Sequence, residues 1–283
     1  MPFPDLSKRL FISTLSLVFI GLGLILAYHP IVMWLLAILT ALIGSIGIWE
    51  YCKLSKLDVV KNCERLLISL TVLIVLSFFL SSLFTKLSIL PLIVLLAAFI
   101  TIFIYHFNKI NGADSSIAKG FFALCYIAVP LGFLLKILYL RVPGLSLNEG
   151  RYWLLYLLIV TKITDVGAYF GGRLLGRRKL AKEISPGKTM VGAVIGFICA
   201  IMFSILFYAL SQFVGGFRLT LYESLLLGAL LGSLGQFGDL AESLLKRGAN
   251  VKDSNSLPGL GGVLDMLDSL LFTIPVIYVF LYL

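Results

Sequence analysis

The sequence predicts an all-α, polytopic membrane protein of about nine transmembrane helices, with the N-terminus cytosolic and the C-terminus on the opposite side. Three observations predict it. Mean hydropathy is +1.05 and 60% of the residues are hydrophobic. Charged residues make up 13%, about half of the ~25% usual in a soluble domain. Apolar runs of ~18 or more residues, enough to cross the hydrocarbon core as a helix, recur along the whole chain. The ~10-residue alternating segments of a transmembrane β-barrel are absent.

The first expected span covers 10–28. Its apolar run continues to Tyr28 with no small-x-small site after it, so it reads as a retained helix rather than a cleaved signal. The second covers 30–49 and opens on Pro30, whose missing N–H is no loss at a helix start. Spans at 66–84, 87–105 and 120–140 follow, the last containing Pro130, a kink that a neighbouring helix can tolerate. Spans at 152–172, 190–213, 223–244 and 263–282 complete the set. Residues 1–151 therefore form an N-terminal scaffold of five spans, and 152–283 a C-terminal catalytic region of four, within one integral unit. The scaffold spans hold no acidic residue in their apolar interiors.

Orientation follows from the basic residues. Of the 23 Lys and Arg, only Lys86, Arg141, Arg151 and Arg218 fall on the far side, and Lys136 and Lys162 lie within spans. The other 17 share the side of the N-terminus, which the positive-inside rule assigns to the cytosol. The net charge of +9 is thus topological and implies no nucleic-acid partner. The expected location is the cell (inner) membrane, with a multi-pass chain and a site facing the cytoplasm. Cys52, Cys63, Cys125 and Cys199 lack metal or redox spacing and read as inert thiols. His29 and His106 suggest no catalytic pair.

The later spans carry Asp165, Asp239, Glu242, Asp265 and Asp268. A charge at the bilayer centre costs ~2.5–3.5 kcal/mol on insertion scales, so five carboxylates need a reason. All five fall at one depth near the cytosolic surface. Asp239 with Glu242, and Asp265 with Asp268, are spaced i, i+3 and share a helical face. Hard divalent cations take oxygen ligands, and Mg²⁺ binds through one or two carboxylates plus substrate phosphates. A Mg²⁺ centre on Asp165, Asp239, Asp265 and Asp268, with room for a second cation, is one reading. Helix-end carboxylates paired with Lys246, Arg247 or Lys162 is the other.

Two loops border these acids. The first, 173–189, concentrates six cations and ends in Ser185-Pro186-Gly187-Lys188-Thr189, just before a helix start that favours phosphate. It lacks the first Gly of a P-loop, because position 182 is Lys182. A polybasic segment beside a span also suits anionic headgroups. The second loop, 246–262, carries Lys246, Arg247, Lys252, Asp253, Gly259, Gly261 and Gly262, and its glycines allow sharp turns or close approach to a ligand.

At these residues the sequence resembles the phosphatidate cytidylyltransferase (CDP-diacylglycerol synthase) family. The family signature is matched by Ser243-Leu-Leu-Lys246-Arg247, Lys252-Asp253, Leu257-Pro258-Gly259, Gly261-Gly262 and Asp265-Met-Leu-Asp268. Gly238-Asp239, Asp165-x-Gly-Ala168-Tyr169 and Ile184-Ser185-Pro186-x-Lys188-Thr189 fit as well. Three positions depart from the pattern: Leu260 replaces a His, Met266 an Arg, and Val191 an acidic residue. The resemblance implies transfer of a cytidylyl group from CTP to phosphatidate, giving CDP-diacylglycerol and pyrophosphate, with CTP, phosphatidate and membrane lipid as partners and room for a homodimer. It implies catalytic roles for Asp239, Asp265, Lys246 and Asp268. Ser185, Lys188, Thr189, Arg247, Lys252 and Asp253 would then bind substrate. A CTP-dependent lipid kinase, a cation-coupled transporter and a non-catalytic relative stay open at this point.

Overall fold

A computed structural model describes residues 21–57, 62–108, 110–140, 149–213, 217–251 and 262–282. Among the described residues, eight helices are long and apolar enough to cross a membrane. They are α1 (Pro30–Ser55), α2 (Cys63–Leu83), α3 (Leu90–His106), α4 (Ala113–Leu138), α5 (Glu149–Leu175), α6 (Met190–Ser211), α7 (Leu221–Gly248) and α8 (Val263–Tyr282). Residues 21–25 are also helical, and the rest of the first expected span lies largely outside the described residues. The chain is a multi-pass, all-α membrane protein. Its one sheet among the described residues is a hairpin of β1 (Lys179–Ala181) and β2 (Ser185–Thr189).

The apolar content of each span follows its place. Helix α3 has a mean hydropathy of 2.9 and buries little of itself, so its side chains suit lipid. Helix α4 is the most enclosed of the eight. It starts seven residues before its expected boundary and carries a π-turn at Leu124–Ala128, directly ahead of Pro130. A proline has no N–H to return to the preceding turn, and a π-turn is one way a helix absorbs that loss. Helices α5 and α7 have the lowest hydropathy, 1.4 and 1.3, and these two carry much of the charge discussed below.

Lipid tails are as apolar as leucine, so transmembrane helices associate through close backbone packing at small residues. Gly167 and Gly172 of α5 face Gly196 and Gly192 of α6, and Gly171 packs on Ile195. A Cβ on Gly196 would stand 2.6 Å from the Thr164 carbonyl, and one on Gly167 would stand 2.8 Å from Cys199 Sγ. The next contact repeats the device, with Gly228 and Gly232 of α7 packed on Ser204 and Ala200 of α6. Gly238 of α7 then presses on the Asp268 carbonyl of α8. Buried hydroxyls add directional links. Tyr156 bonds Ser204 at 2.6 Å, and Thr161 donates to Thr273 at 3.2 Å. The four C-terminal spans are thereby drawn together at backbone contact distance, which brings their charged ends side by side.

Candidate active site

At one end of the molecule the C-terminal end of α5, the hairpin, the start of α6 and the second half of α7 enclose a cavity of about 610 Å³. The hairpin forms because Arg178 and Met190 close it with a backbone bond of 2.9 Å, pairing Lys179 with Thr189 and Ala181 with Ser185. The segment 185–189, expected as a loop leading into a helix, is therefore a strand. Thr189 is the N-cap of α6, its hydroxyl accepting from the Gly192 N–H at 3.1 Å. Since the Met190 N–H already donates to Arg178, two of the helix's leading donors are committed to the fold. Anion binding here rests on side chains more than the sequence suggested. Ser185, Lys188 and Thr189 all line the cavity, as do Arg173 and Lys179.

The carboxylates lie at this same end, each beside a partner. Asp239 lines the cavity and takes the Lys188 ammonium at 2.6 Å. Asp165, also in the lining, has Lys162 at 3.6 Å and accepts from the Ser269 hydroxyl at 3.4 Å. Lys162 in turn donates to Ser269 Oγ and to the Met266 carbonyl, tying α5 to α8. Lys246 bridges α7 and α8, 2.7 Å from Glu242 and closer still to Asp265. Asp268 is buried and accepts from the Ser269 N–H.

The shared helical face expected of each i, i+3 pair thus divides. Asp239 turns to Lys188 and the cavity, and Glu242 to Lys246 and Asp265. The lysine pairing weighed from the sequence is present for Lys162 and Lys246. Arg247 instead donates to the carbonyls of Ile184 and Val251, fastening the hairpin turn to the end of α7. Lys252, Asp253 and Leu260 lie outside the described residues. Met266 is described and exposed.

Among the described residues no three His, Cys, Asp or Glu side chains close on one metal-binding point. The donor set nevertheless fits a hard divalent ion. Among the described residues, five carboxylates from α5, α7 and α8 lie beside three ammonium groups, those of Lys162, Lys188 and Lys246. Asp268 lies in the repulsive field of both Asp239 and Asp165. Among the described residues, the buried Glu242 Oε1 atom has no hydrogen-bond partner. Carboxylate oxygens gathered from separate helices are the donors that Mg²⁺ takes.

Three features escaped sequence reasoning. Arg173 receives its orientation from Tyr169, whose hydroxyl accepts from the guanidinium at 2.9 Å. Their i, i+4 spacing on α5 was a usable signal. Tyr126, on the π-turn of α4, is buried in the field of Glu242 and Asp268, its hydroxyl without a hydrogen-bond partner among the described residues. Glu50 lies one residue past the expected end of the second span, yet inside α1, and is 2% exposed.

With this geometry in hand, comparison with known proteins is specific. The model of the cytidylyltransferase family matches residues 8–283. A phosphatidate cytidylyltransferase of Chlamydia pneumoniae is 32% identical over 287 residues, covering 99% of this chain and 92% of the relative. One of Bacillus subtilis is 32% identical over 284 residues, 97% of either chain. One of Staphylococcus haemolyticus is 42% identical over 135 residues, which are 47% of this chain and 50% of the relative.

Proposed function

This chain belongs to the cytidylyltransferase family, and on that premise we propose how its cavity serves the joining of CTP to phosphatidate. The enzyme is a nucleotidyltransferase of phospholipid biosynthesis: a phosphate oxygen of phosphatidate attacks the α-phosphorus of CTP, CDP-diacylglycerol forms and pyrophosphate leaves. The attacking phosphate is already anionic, so the reaction asks the protein for positioning and charge stabilisation rather than for a nucleophilic side chain.

One observation carries the assignment of the site. A single cavity is lined both by anion-binding side chains, Ser185, Lys188, Thr189 and Arg173, and by the carboxylates Asp165 and Asp239. Lys188 stands against Asp239 and donates to phosphate oxygens that enter beside it. Arg173, held by Tyr169, offers a planar fork suited to a phosphate edge. Ser185 and Thr189 supply hydroxyl donors, the latter while still capping α6. Lys246 keeps Glu242 and Asp265 from repelling α7 and α8 apart. Asp239, Asp165 and Asp268, with Asp265, are the residues that would hold Mg²⁺. Once bound, that ion would polarise the α-phosphoryl group and neutralise the leaving pyrophosphate.

We place the cavity at the cytosolic face of the cell membrane, because 17 of the 23 basic residues share the N-terminal side. Water-soluble CTP then reaches it from the cytosol, and the lipid phosphate arrives at headgroup depth. The test is product analysis with labelled CTP, phosphatidate and Mg²⁺. Pyrophosphate and CDP-diacylglycerol are expected, whereas release of CDP would identify a lipid kinase and overturn the reading.

A further inference from the structure

We propose that Glu50, from the N-terminal half of the chain, is a positioning residue for the reaction, holding in place the helix that presents Asp265 and Asp268. The inference rests on the reading of those two aspartates as working groups of the site.

Helix α8 begins at Val263, directly after Gly262, a residue with no side chain to cap it. The first N–H groups of any helix need acceptors from elsewhere. Here the acceptor comes from α1, more than two hundred residues earlier. Glu50 Oε1 accepts from the Val263 N–H and Oε2 from the Leu264 N–H, both at 2.9 Å. The carboxylate is 2% exposed, so water does not compete for these bonds. Gly47, one turn earlier on α1, lies against Leu264.

The clamp acts where position matters most. Asp265 follows the two clamped amides directly, and its contact with Lys246 sets the spacing of α7 and α8. Asp268 lies one turn further on. The sequence before α8 contains Gly259, Gly261 and Gly262, whose backbones restrict a helix start less than any other residue does. Glu50 supplies a two-pronged contact to the first turn of α8 from outside that helix. A carboxylate at this end also complements the helix dipole.

Glu50→Gln is the informative variant, because its shape is kept and only one of the two acceptors survives. It is to be purified in micelles beside wild type, and read by cytidylyl transfer and by amide hydrogen exchange. The expected result is at least a tenfold fall in kcat with KM for CTP and for phosphatidate within twofold. Exchange at residues 263–266 should accelerate at least tenfold, with α5 and α6 unchanged. Glu50→Asp, which keeps the charge but withdraws it by one methylene, should show the same split. Faster exchange at 263–266 with kcat within twofold of wild type would make Glu50 a structural cap only and overturn the proposal. Loss of protection throughout the chain in both variants would overturn it too, since Glu50 would then hold the fold rather than the site. Absence of turnover in wild type would instead defeat the functional reading, while the exchange result still reports the clamp.

Discussion

Lys246 is the residue on which the charge balance between α7 and α8 turns. Its ammonium is 11% exposed and touches Glu242, which is 2% exposed, and Asp265. Removing one partner of a buried ion pair leaves uncompensated charge and costs about 3–5 kcal/mol. Lys246→Met should accordingly lower the thermal midpoint by several degrees and abolish turnover. Adding Glu242→Gln should restore much of the stability without restoring activity, because the buried repulsion is relieved while the ammonium beside Asp265 stays absent. Equal midpoints for the single and double variants would show that the two carboxylates do not share this lysine. The sequence identified each member of this trio by type and spacing. It did not say that Asp239 and Glu242 turn to different partners, since i, i+3 neighbours share a face, yet Lys188 reaches Asp239 from the hairpin while Lys246 takes Glu242 from the next turn of α7 itself.

The helices were legible as elements because each carries an apolar run long enough for the bilayer. The hairpin at 179–189 was not. It has no alternation, it is rich in charge, and its strands are fixed by the Arg178–Met190 bond and by the cap on α6 rather than by an apolar face. The small-residue contacts were present in the sequence as Gly167 with Gly171 and Gly192 with Gly196, each four apart, but nothing in one chain's spacing says which helix receives them. Their packing makes a direct prediction. Gly196→Leu puts a side chain where even a Cβ would stand 2.6 Å from the Thr164 carbonyl, so α5 and α6 must separate. Overpacking costs about 1–3 kcal/mol, and the shift also widens the cavity that both helices line. A lower unfolding temperature with reduced turnover is expected. Unchanged values of both would mean that the helices do not pack on this face.

For the whole molecule, orientation was read from lysine and arginine alone, and it is open to direct test. The four native cysteines are replaced before single reporters are introduced. In intact cells a cysteine at Gly187, whose Cβ position is open, should resist an impermeant thiol reagent, while one at Thr85 should react. The opposite pattern would invert the protein and its site. The division into a scaffold half and a catalytic half was harder to read, because a contact such as Glu50 with Val263 spans 213 residues and leaves no local pattern. At this scale the account reduces to carboxylates on separate helices working with a basic cavity to transfer a cytidylyl group. The most direct test is turnover of CTP and phosphatidate by purified wild type and Asp239→Asn in Mg²⁺. Removing one preorganised electrostatic group costs about 10²–10³-fold in rate, so the variant should lose at least that while remaining folded. An Asp239→Asn protein that released pyrophosphate at the wild-type rate would contradict the account.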